Sequence, residues 1–231
     1  MDTVRQHPQT ARRGQKGFTL IELLVVITIM SVITLVLLIQ QNKFDSSTLL
    51  RSLAYNVALS VRQTQVYGTS VYGASSTSGA TSYAPAYGLY FSESSPQTYI
   101  LFADTNGDGQ YDSGDTVLQT FTLGNGYSIT NICAEGTNVG TGGHVTRCST
   151  YPPADIAISF LEVLFKRPDL DAQFLTLNGF GVPLNQSSSN PNGDVYSSGY
   201  IVVGALDGTT RAVSVSTTGQ IVVWAPNTTP P

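Results

Sequence analysis

The chain has 231 residues, of which only 11% are charged, and its 11 basic and 15 acidic side chains give a formal net charge of −4. This length and the abundance of Gly and Tyr favour one β-rich domain over a helical cytosolic protein. The acidic balance argues against a nucleic-acid partner that is held by bulk charge.

The first 17 residues form a basic segment. They hold Arg5, Arg12, Arg13 and Lys16 against Asp2, a net charge of +3. The positive-inside rule places this end in the cytoplasm and the rest of the chain outside. Without this segment, seven basic and fourteen acidic residues remain, so the rest of the chain carries a formal charge of −7.

An apolar run of 22 residues follows, from Phe18 to Ile39, with Glu22 as its one charge. A helix needs ~20 apolar residues to cross the hydrocarbon core of a bilayer, so the run is long enough to span it. It is longer than the apolar core of a secretory signal, and no Ala-x-Ala-like site follows it. A carboxylate inside such a run is costly, so a partner or a function is expected for it.

The stretch Lys16-Gly17-Phe18-Thr19-Leu20-Ile21-Glu22-Leu23-Leu24 resembles the processing and methylation site of type IV prepilins and type II secretion pseudopilins. The resemblance implies cleavage between Gly17 and Phe18 by a prepilin peptidase, followed by N-methylation of Phe18. It also implies that Glu22 pairs with the Phe18 amine of a neighbouring subunit during assembly. The alternative interpretation is a plain membrane anchor that carries a chance Glu.

A second helical pattern continues beyond the apolar run. Apolar residues recur at spacings of three and four from Leu49 to Val61, which predicts one long helix that ends at about Val66. We therefore expect a leader at 1–17, a membrane or filament-core helix at 18–39, its amphipathic continuation at 40–67 and a β-rich extracellular head at 68–231. Within the head, the Gly- and Ser-rich residues 68–86 are expected to form an exposed loop with a short strand or two.

The head is predicted to be antiparallel β-sheet, so that the fold class is α+β: a long N-terminal helix packed on a sheet, as in pilins. Alternating β-branched and aromatic residues, bounded by turn residues, predict nine strands. These are Tyr87–Phe91, Thr98–Phe102, Thr116–Leu123, Tyr127–Ile132, Asp155–Phe165, Ala172–Leu177, Gly199–Ala205, Arg211–Ser216 and Gln220–Trp224.

The last three strands are predicted to form a meander with turns at Asp207-Gly208 and Thr218-Gly219. Its inward Val and Ile residues are expected to cover the apolar stripe of the helix. The sequence from Arg211 to Val223 resembles the last hairpin of GspH/FimT-type pseudopilins and minor pilins, although this motif is much less specific than the N-terminal one.

The segment from Asp104 to Asp115 fits a twelve-residue calcium-loop template. Ca²⁺ prefers oxygen ligands, and the template assigns side-chain or backbone oxygens to Asp104, Asn106, Asp108, Gln110, Asp112 and Asp115. Gly109 permits the sharp turn. Because strands flank the loop, we expect a structural calcium clip and not a helix-loop-helix sensor. The alternative is an Asx- and Gly-rich turn without an ion, in which four carboxylates repel one another.

The chain has two cysteines, Cys133 and Cys148. Outside the membrane they meet oxidising conditions, so a disulfide between them is expected. Free thiols are one alternative, and a metal site that includes His144 is another, although three candidate ligands without short paired-Cys spacing give a weak zinc signal.

These features predict a non-enzymatic structural subunit, a minor pilin or pseudopilin of a type IV pilus or type II secretion-like filament. Its expected partners are other pilin or pseudopilin subunits, the prepilin peptidase, the inner-membrane assembly platform and, before assembly, membrane lipid; nucleic acid is not expected. Its expected location is the bacterial inner membrane, which it crosses once, and then an extracellular or periplasmic filament.

The alternatives are a calcium-binding surface adhesin or binding module displayed on a pilus, and a membrane-anchored hydrolase that uses His144. No Gly-x-Ser-x-Gly or His-Glu-x-x-His motif supports the hydrolase.

Overall fold

The computed structural model describes residues 17–70, 73–75, 81–82, 85–124, 126–150, 157–169, 171–178, 184–185 and 192–228, with the backbone alone at 40–46, 75 and 81–82. Of the predicted leader, only Gly17 belongs to these residues. The chain divides into two compact units, Met1–Asp45 and Ser46–Pro231.

Helix α1 runs from Leu20 to Thr69 and contributes to both units. It begins two residues after the predicted start at Phe18, because the Thr19 hydroxyl accepts a hydrogen bond from the backbone N–H of Glu22 at 3.3 Å and caps the first turn. Its end at Thr69 lies three residues beyond the predicted one. At Gly68, a side chain would approach the backbone oxygen of Phe165 to 2.6 Å, so glycine is required at this close contact.

Within the first unit, the helical segment Leu20–Ile39 is apolar around its whole circumference and exposed along its whole length. It is long and apolar enough to cross a membrane. The hydroxyls of Thr28, Ser31 and Thr34 donate to the carbonyls of Val25, Ile27 and Met30, each at 2.8 Å. These polar groups are thereby satisfied inside the helix itself, as an apolar solvent requires.

In the described part of the chain, twelve strands follow the helix, and every pairing between them is antiparallel. They are β1 (Ala74–Ser75), β2 (Thr81–Ser82), β3 (Ala86–Ser92), β4 (Thr98–Asp104), β5 (Thr116–Thr122), β6 (Ser128–Asn138), β7 (His144–Cys148), β8 (Ile158–Phe165), β9 (Ala172–Asn178), β10 (Asp194–Gly204), β11 (Thr210–Ser216) and β12 (Ile221–Val223).

The strands form two five-stranded sheets and one small two-stranded sheet. The first sheet has the order β5-β4-β3-β8-β9, the second has the order β12-β11-β10-β6-β7, and β1 pairs with β2. The α+β layout with antiparallel strands is confirmed, and it is consistent with a pilin-like fold. The prediction had not specified that the strands divide between two large sheets.

The core of the second unit takes side chains from the helix and from both large sheets. Leu50, Ala54, Val57 and Val61 form the buried face of the helix. They share one apolar cluster with residues of the first sheet and of the second sheet: Leu89, Phe91, Leu101, Leu161, Val163, Ile132, Ala134, Ile201, Val203, Val213 and Val215. From Leu50 onward the helical stripe packs as the periodicity predicts, whereas Leu49, the first residue of the predicted stripe, is exposed. Burial of this cluster is the main favourable term in folding.

The C-terminal meander is confirmed. Strand β10 pairs with β11, with Ile201 opposite Val213, and β11 pairs with β12, with Val213 also opposite Val223. Gly208 and Gly219 lie at the two turns with φ of 82° and 77°, a conformation that favours glycine. The predicted inward residues Ile201 and Val213 belong to the core cluster that includes the helix.

Candidate functional site

The loop between β4 and β5 carries the predicted calcium-binding residues. The two strands are neighbours in the first sheet, with Ala103 opposite Thr116, so the loop is a strand connection as expected. Asp104 is the last residue of β4 and Asp115 immediately precedes β5, and both side chains are buried. The paired strands thus hold the first and last template positions at the base of the loop.

Asp104 organises the first half of the loop. Its two carboxylate oxygens accept hydrogen bonds from the backbone N–H groups of Gly107 at 2.6 Å and Gly109 at 3.0 Å. Both glycines have positive φ, 81° and 78°, so the backbone can turn its N–H groups toward the carboxylate.

Asp115 closes the loop from the other side. Its carboxylate accepts the backbone N–H groups of Thr105 at 3.0 Å and Asp112 at 3.1 Å. Burial raises the pKa of Asp115, and the charges of Asp104 and Asp112 raise it further, while these two hydrogen bonds lower it. The charges of Asp104 and Asp112 therefore disfavour the ionised form of Asp115.

The predicted ligands in the middle of the loop form a chain of short turns. The Asn106 amide donates to Asp108 at 3.0 Å, and the backbone N–H of Asp108 donates back to the Asn106 carbonyl oxygen at 3.1 Å. The Asp108 carboxylate also accepts the N–H of Gln110 at 2.9 Å, and the Asp112 carboxylate accepts the N–H of Gly114 at 2.6 Å. Each side chain thus fixes the backbone two residues ahead of it.

The donor set fits a hard cation in kind, since every candidate ligand atom is an oxygen and four of the residues are acids. In the described part of the chain, however, no group of three or more acidic, His or Cys side chains is gathered closely enough to hold a metal ion. The carboxylates instead accept backbone N–H groups around the turn. The structure therefore brings the predicted residues into one loop without converging them on a single point.

Glu162 is a site residue that the sequence analysis did not identify. It lies in the middle of β8, is 0% exposed and accepts a hydrogen bond at Oε1 from the backbone N–H of Tyr111 in the loop, at 3.0 Å. Burial raises its pKa to about 8, and the charges of Asp115, Asp108 and Asp104 contribute to the increase. The signal that could have revealed it is a lone acid inside the apolar strand Ile158–Phe165.

The predicted disulfide is confirmed: Cys133 and Cys148 are bonded to each other. They lie directly opposite each other on β6 and β7. Both sulfur atoms are consumed, so neither the free-thiol nor the thiolate metal alternative holds. His144, which that alternative and the hydrolase hypothesis invoked, is exposed at the start of β7 opposite Thr137.

The processing-site residues are accessible. Phe18 is 83% exposed, and a side chain built at Gly17 would meet no atom within 4 Å. Glu22 lies in the first turn of α1, and its carboxylate forms no hydrogen bond or ion pair with any of the described residues. An exposed Gly17–Phe18 junction, an apolar helix and an acid without a partner among the described residues thus occur together in this segment.

Comparison with known proteins identifies this same segment. Residues 12–38 match the family described as "Prokaryotic N-terminal methylation motif", the signal of type IV pilins and pseudopilins. The match covers about an eighth of the chain and confirms the resemblance found at Lys16–Leu24. No curated protein and no solved structure matches the chain. The N-terminal segment therefore carries a prepilin-type signal, which implies processing and assembly with other pilins.

Proposed function

We propose that the chain is a non-enzymatic structural subunit, a minor pilin or pseudopilin, of a type IV pilus or type II secretion-like filament. The observation that carries the proposal is the methylation motif at the start of a helix that is apolar on all sides and has one unpartnered carboxylate. The β-rich second unit is the part of the subunit displayed on the filament surface.

The carboxylate of Glu22 is the second argument for assembly through the helix. The hydroxyls in the apolar segment are satisfied by their own helix, whereas the Glu22 carboxylate has no partner among the described residues. An isolated carboxylate costs ~2.5–3.5 kcal/mol at the centre of a membrane helix on insertion scales, and less near a helix end, where Glu22 lies. A free amine at Phe18 of a neighbouring subunit, created by cleavage after Gly17, offsets this cost, because each charge is less costly when paired.

The open space around Gly17 supports the proposal that another protein processes the chain there. Space around it is open and its φ is not in the left-handed region, so nothing in the described fold requires glycine there. A requirement for glycine at this position therefore comes from an external protein that must approach the backbone. The prepilin peptidase is that protein in this proposal.

In this proposal the protein is first inserted in the membrane and then assembled into a filament. The basic leader stays in the cytoplasm while the apolar helix crosses the inner membrane once. The assembly platform then moves the processed subunit from lipid into an extracellular or periplasmic filament. The excess of acidic residues after the leader disfavours nucleic acid as a partner of the displayed unit.

The test is the intact mass and N-terminal sequence of the protein recovered from sheared filaments and, separately, from membranes. We expect a filament-associated chain that begins at methylated Phe18. A Gly17→Glu variant should keep its leader and remain in the membrane, whereas Gly14→Glu, which adds the same charge three residues away, should be processed. A wild-type chain that begins at Met1 in every fraction, or normal processing of Gly17→Glu, would overturn the proposal.

We further propose that the loop from Asp104 to Asp115 binds a structural Ca²⁺ ion. The oxygen-only donor set supports this, as do the two buried acids at its base and the two positive-φ glycines that shape it. Asp104, Asp108, Asp112 and Asp115 would hold the ion together with the side-chain oxygen of Asn106 and the backbone oxygen of Gln110. The ion would offset the repulsion among the four carboxylates and fix the connection between β4 and β5.

Thermal unfolding of the detergent-solubilised full chain tests the calcium proposal. We expect Ca²⁺ to raise Tm relative to a chelator, with affinity in the weak extracellular class of roughly 10⁻⁴–10⁻³ M. Asp104→Ala combined with Asp108→Ala should abolish the increase. The matched control is Asp169→Ala with Asp171→Ala, which removes the same charge from two exposed residues outside the loop. Equal Tm of the wild-type protein with Ca²⁺ and with chelator would contradict the proposal.

A further inference from the structure

Glu162 lies where a carboxylate is costly. In the first sheet it is opposite Tyr90 of β3 and Leu175 of β9, and Phe160 lies two residues before it on the same face of β8. Its side chain is completely buried. A buried carboxylate needs hydrogen bonds or an opposite charge, because the interior solvates it poorly.

The loop supplies one hydrogen-bond donor to the Glu162 carboxylate. The backbone N–H of Tyr111 donates to Oε1, while Oε2 is buried and has no hydrogen-bond partner in the described residues. The Tyr111 ring packs against the rings of Tyr90 and Phe102, with centroids 4.9 and 5.0 Å apart. The middle of the loop is therefore pinned over this face of the sheet, and half of the carboxylate beneath it is unsatisfied.

Asp194, a second buried acid in the same unit, has hydrogen bonds and an opposite charge that compensate for its burial. Asp194 accepts hydrogen bonds from Arg147 at 2.8 Å, from Asn138 at 2.8 Å and from Tyr196 at 3.3 Å, and Arg147 also supplies a positive charge. Among the described residues Glu162 has no such cation beside it, and the charged groups that act on it are Asp115, Asp108 and Asp104 of the loop. A buried, unsatisfied atom in a native protein calls for an explanation such as a water or an ion.

We propose that Glu162 is a positioning residue of a divalent-cation site in the loop, where its carboxylate adds a buried negative charge to those of Asp104, Asp108 and Asp115. This inference rests on the calcium proposal for the same loop. Oε1 anchors the loop through Tyr111, and the cation supplies the positive charge that the described residues do not offer to Glu162. The strand β8 thereby contributes to a site whose ligands all lie between β4 and β5.

The test compares Glu162→Gln with the wild-type full chain in detergent, by calorimetric titration with Ca²⁺ alone. The Gln side chain keeps the shape and an oxygen that can accept the Tyr111 N–H, but it removes the charge. We expect Ca²⁺ affinity to fall ~10-fold or more, as is typical for residues that support metal ligands from behind. In chelator, the Tm of Glu162→Gln should equal or exceed that of the wild type, because Gln has no charge that must be neutralised or buried on folding.

Two further variants separate the outcomes. Glu93→Gln, which removes an exposed charge in the turn after β3, should leave Ca²⁺ affinity unchanged. Asp104→Ala with Asp108→Ala should abolish binding. If the wild type binds Ca²⁺ and Glu162→Gln binds it equally well, Glu162 is only a structural acceptor for Tyr111 and the inference is overturned. If the wild type binds no Ca²⁺, the calcium proposal fails first and the inference fails with it.

Discussion

The two halves of helix α1 differ in where their polar side chains find hydrogen-bond partners. In the segment Leu20–Ile39 every side is apolar and exposed, and the hydroxyls bond to the carbonyls of their own helix. In the segment that follows Ser46, one face is buried, and polar side chains reach other elements. Ser60 contacts the Tyr99 hydroxyl at 3.0 Å, and Gln65 donates to the Gly219 carbonyl at 2.7 Å.

This difference shows where each half finds its packing partners. The second half has them within its own unit, because Leu50, Ala54, Val57 and Val61 belong to the core cluster. The first half has an apolar surface on all sides, and our proposal gives it lipid or the helices of other subunits as partners. One continuous helix thus carries two kinds of sequence, one suited to a membrane or filament and one suited to a protein core.

The acids Glu22 and Glu162 repeat the contrast. Each lies in apolar surroundings and lacks an opposite charge in the described part of its own chain. Our proposals supply that charge differently: a subunit amine for Glu22 and a divalent cation for Glu162. If so, removing the Glu22 charge should impair assembly and leave the fold intact, whereas removing the Glu162 charge should alter the fold's stability and leave assembly intact.

The largest effect is expected for Glu22→Gln. Breaking a buried ion pair by removing one partner costs about 3–5 kcal/mol, which corresponds to a more than ~100-fold loss in the assembly equilibrium. We expect normal cleavage after Gly17 but almost no chain in sheared filaments, as measured by quantitative immunoblotting of filament and membrane fractions. The control is Thr28→Val, which removes a hydroxyl that bonds to its own helix and should assemble normally. Filament yields equal to wild type for Glu22→Gln would contradict the proposed pairing.

A smaller effect is expected from pH on the stability of the second unit in chelator. Burial raises the pKa of Glu162 from 4.5 to about 8, so the folded state binds a proton that the unfolded state has released. This contribution to stability is fully present below about pH 4.5 and is lost as pH rises toward 8. The loss is on the order of 4 kcal/mol, because one pKa unit corresponds to ~1.4 kcal/mol.

Chemical unfolding followed by fluorescence of Trp224, the single tryptophan, measures this dependence. The free energy of unfolding should fall between pH 5 and 8 in the wild type, and most of the decrease should be absent in Glu162→Gln. Raised pKa values at Asp115 and Glu135 leave a residual slope of the same sign in the variant. Stability that is constant or rises over this interval in the wild type would show that Glu162 is ionised in the folded protein.

Local patterns were sufficient to predict most of the fold. The periodicity of the helix identified Leu50, Val57 and Val61 as its buried face, and alternation identified the nine predicted strands. Turn residues were equally informative, since Gly208 and Gly219 have the positive φ that their hairpins require. These features depend on near neighbours in sequence, which is why the sequence alone reveals them.

Features that depend on distant contacts were missed. Strand β7 was not predicted because His144–Cys148 has little apolar alternation and is held at the edge by β6 and the disulfide. The division of the strands into two sheets was not predicted either. Glu162 was overlooked because its importance comes from Tyr111, 51 residues away in the chain, whose loop folds over it. The sequence was sufficient to predict the candidate ligand residues of the loop, but not that the Glu162 carboxylate lies beneath it.

The smallest expected effect concerns the hydroxyl pair of Ser60 and Tyr99, which distinguishes the second half of α1 from the first. Both side chains are buried, and the Tyr99 ring stacks between Phe91 and Phe121. Ser60→Ala leaves the Tyr99 hydroxyl without its partner, so the free energy of unfolding should fall by about 1–2 kcal/mol.

Tyr99→Phe provides the matched measurement for that pair. It should cost less than Ser60→Ala, because the Ser60 hydroxyl still donates to the Asn56 carbonyl at 2.9 Å. In the double variant no buried hydroxyl is left unsatisfied, so its loss of stability should be smaller than the sum of the two single losses. Additive losses would mean that the two hydroxyls do not interact, and the second half of α1 would then satisfy its polar groups locally, as the first half does.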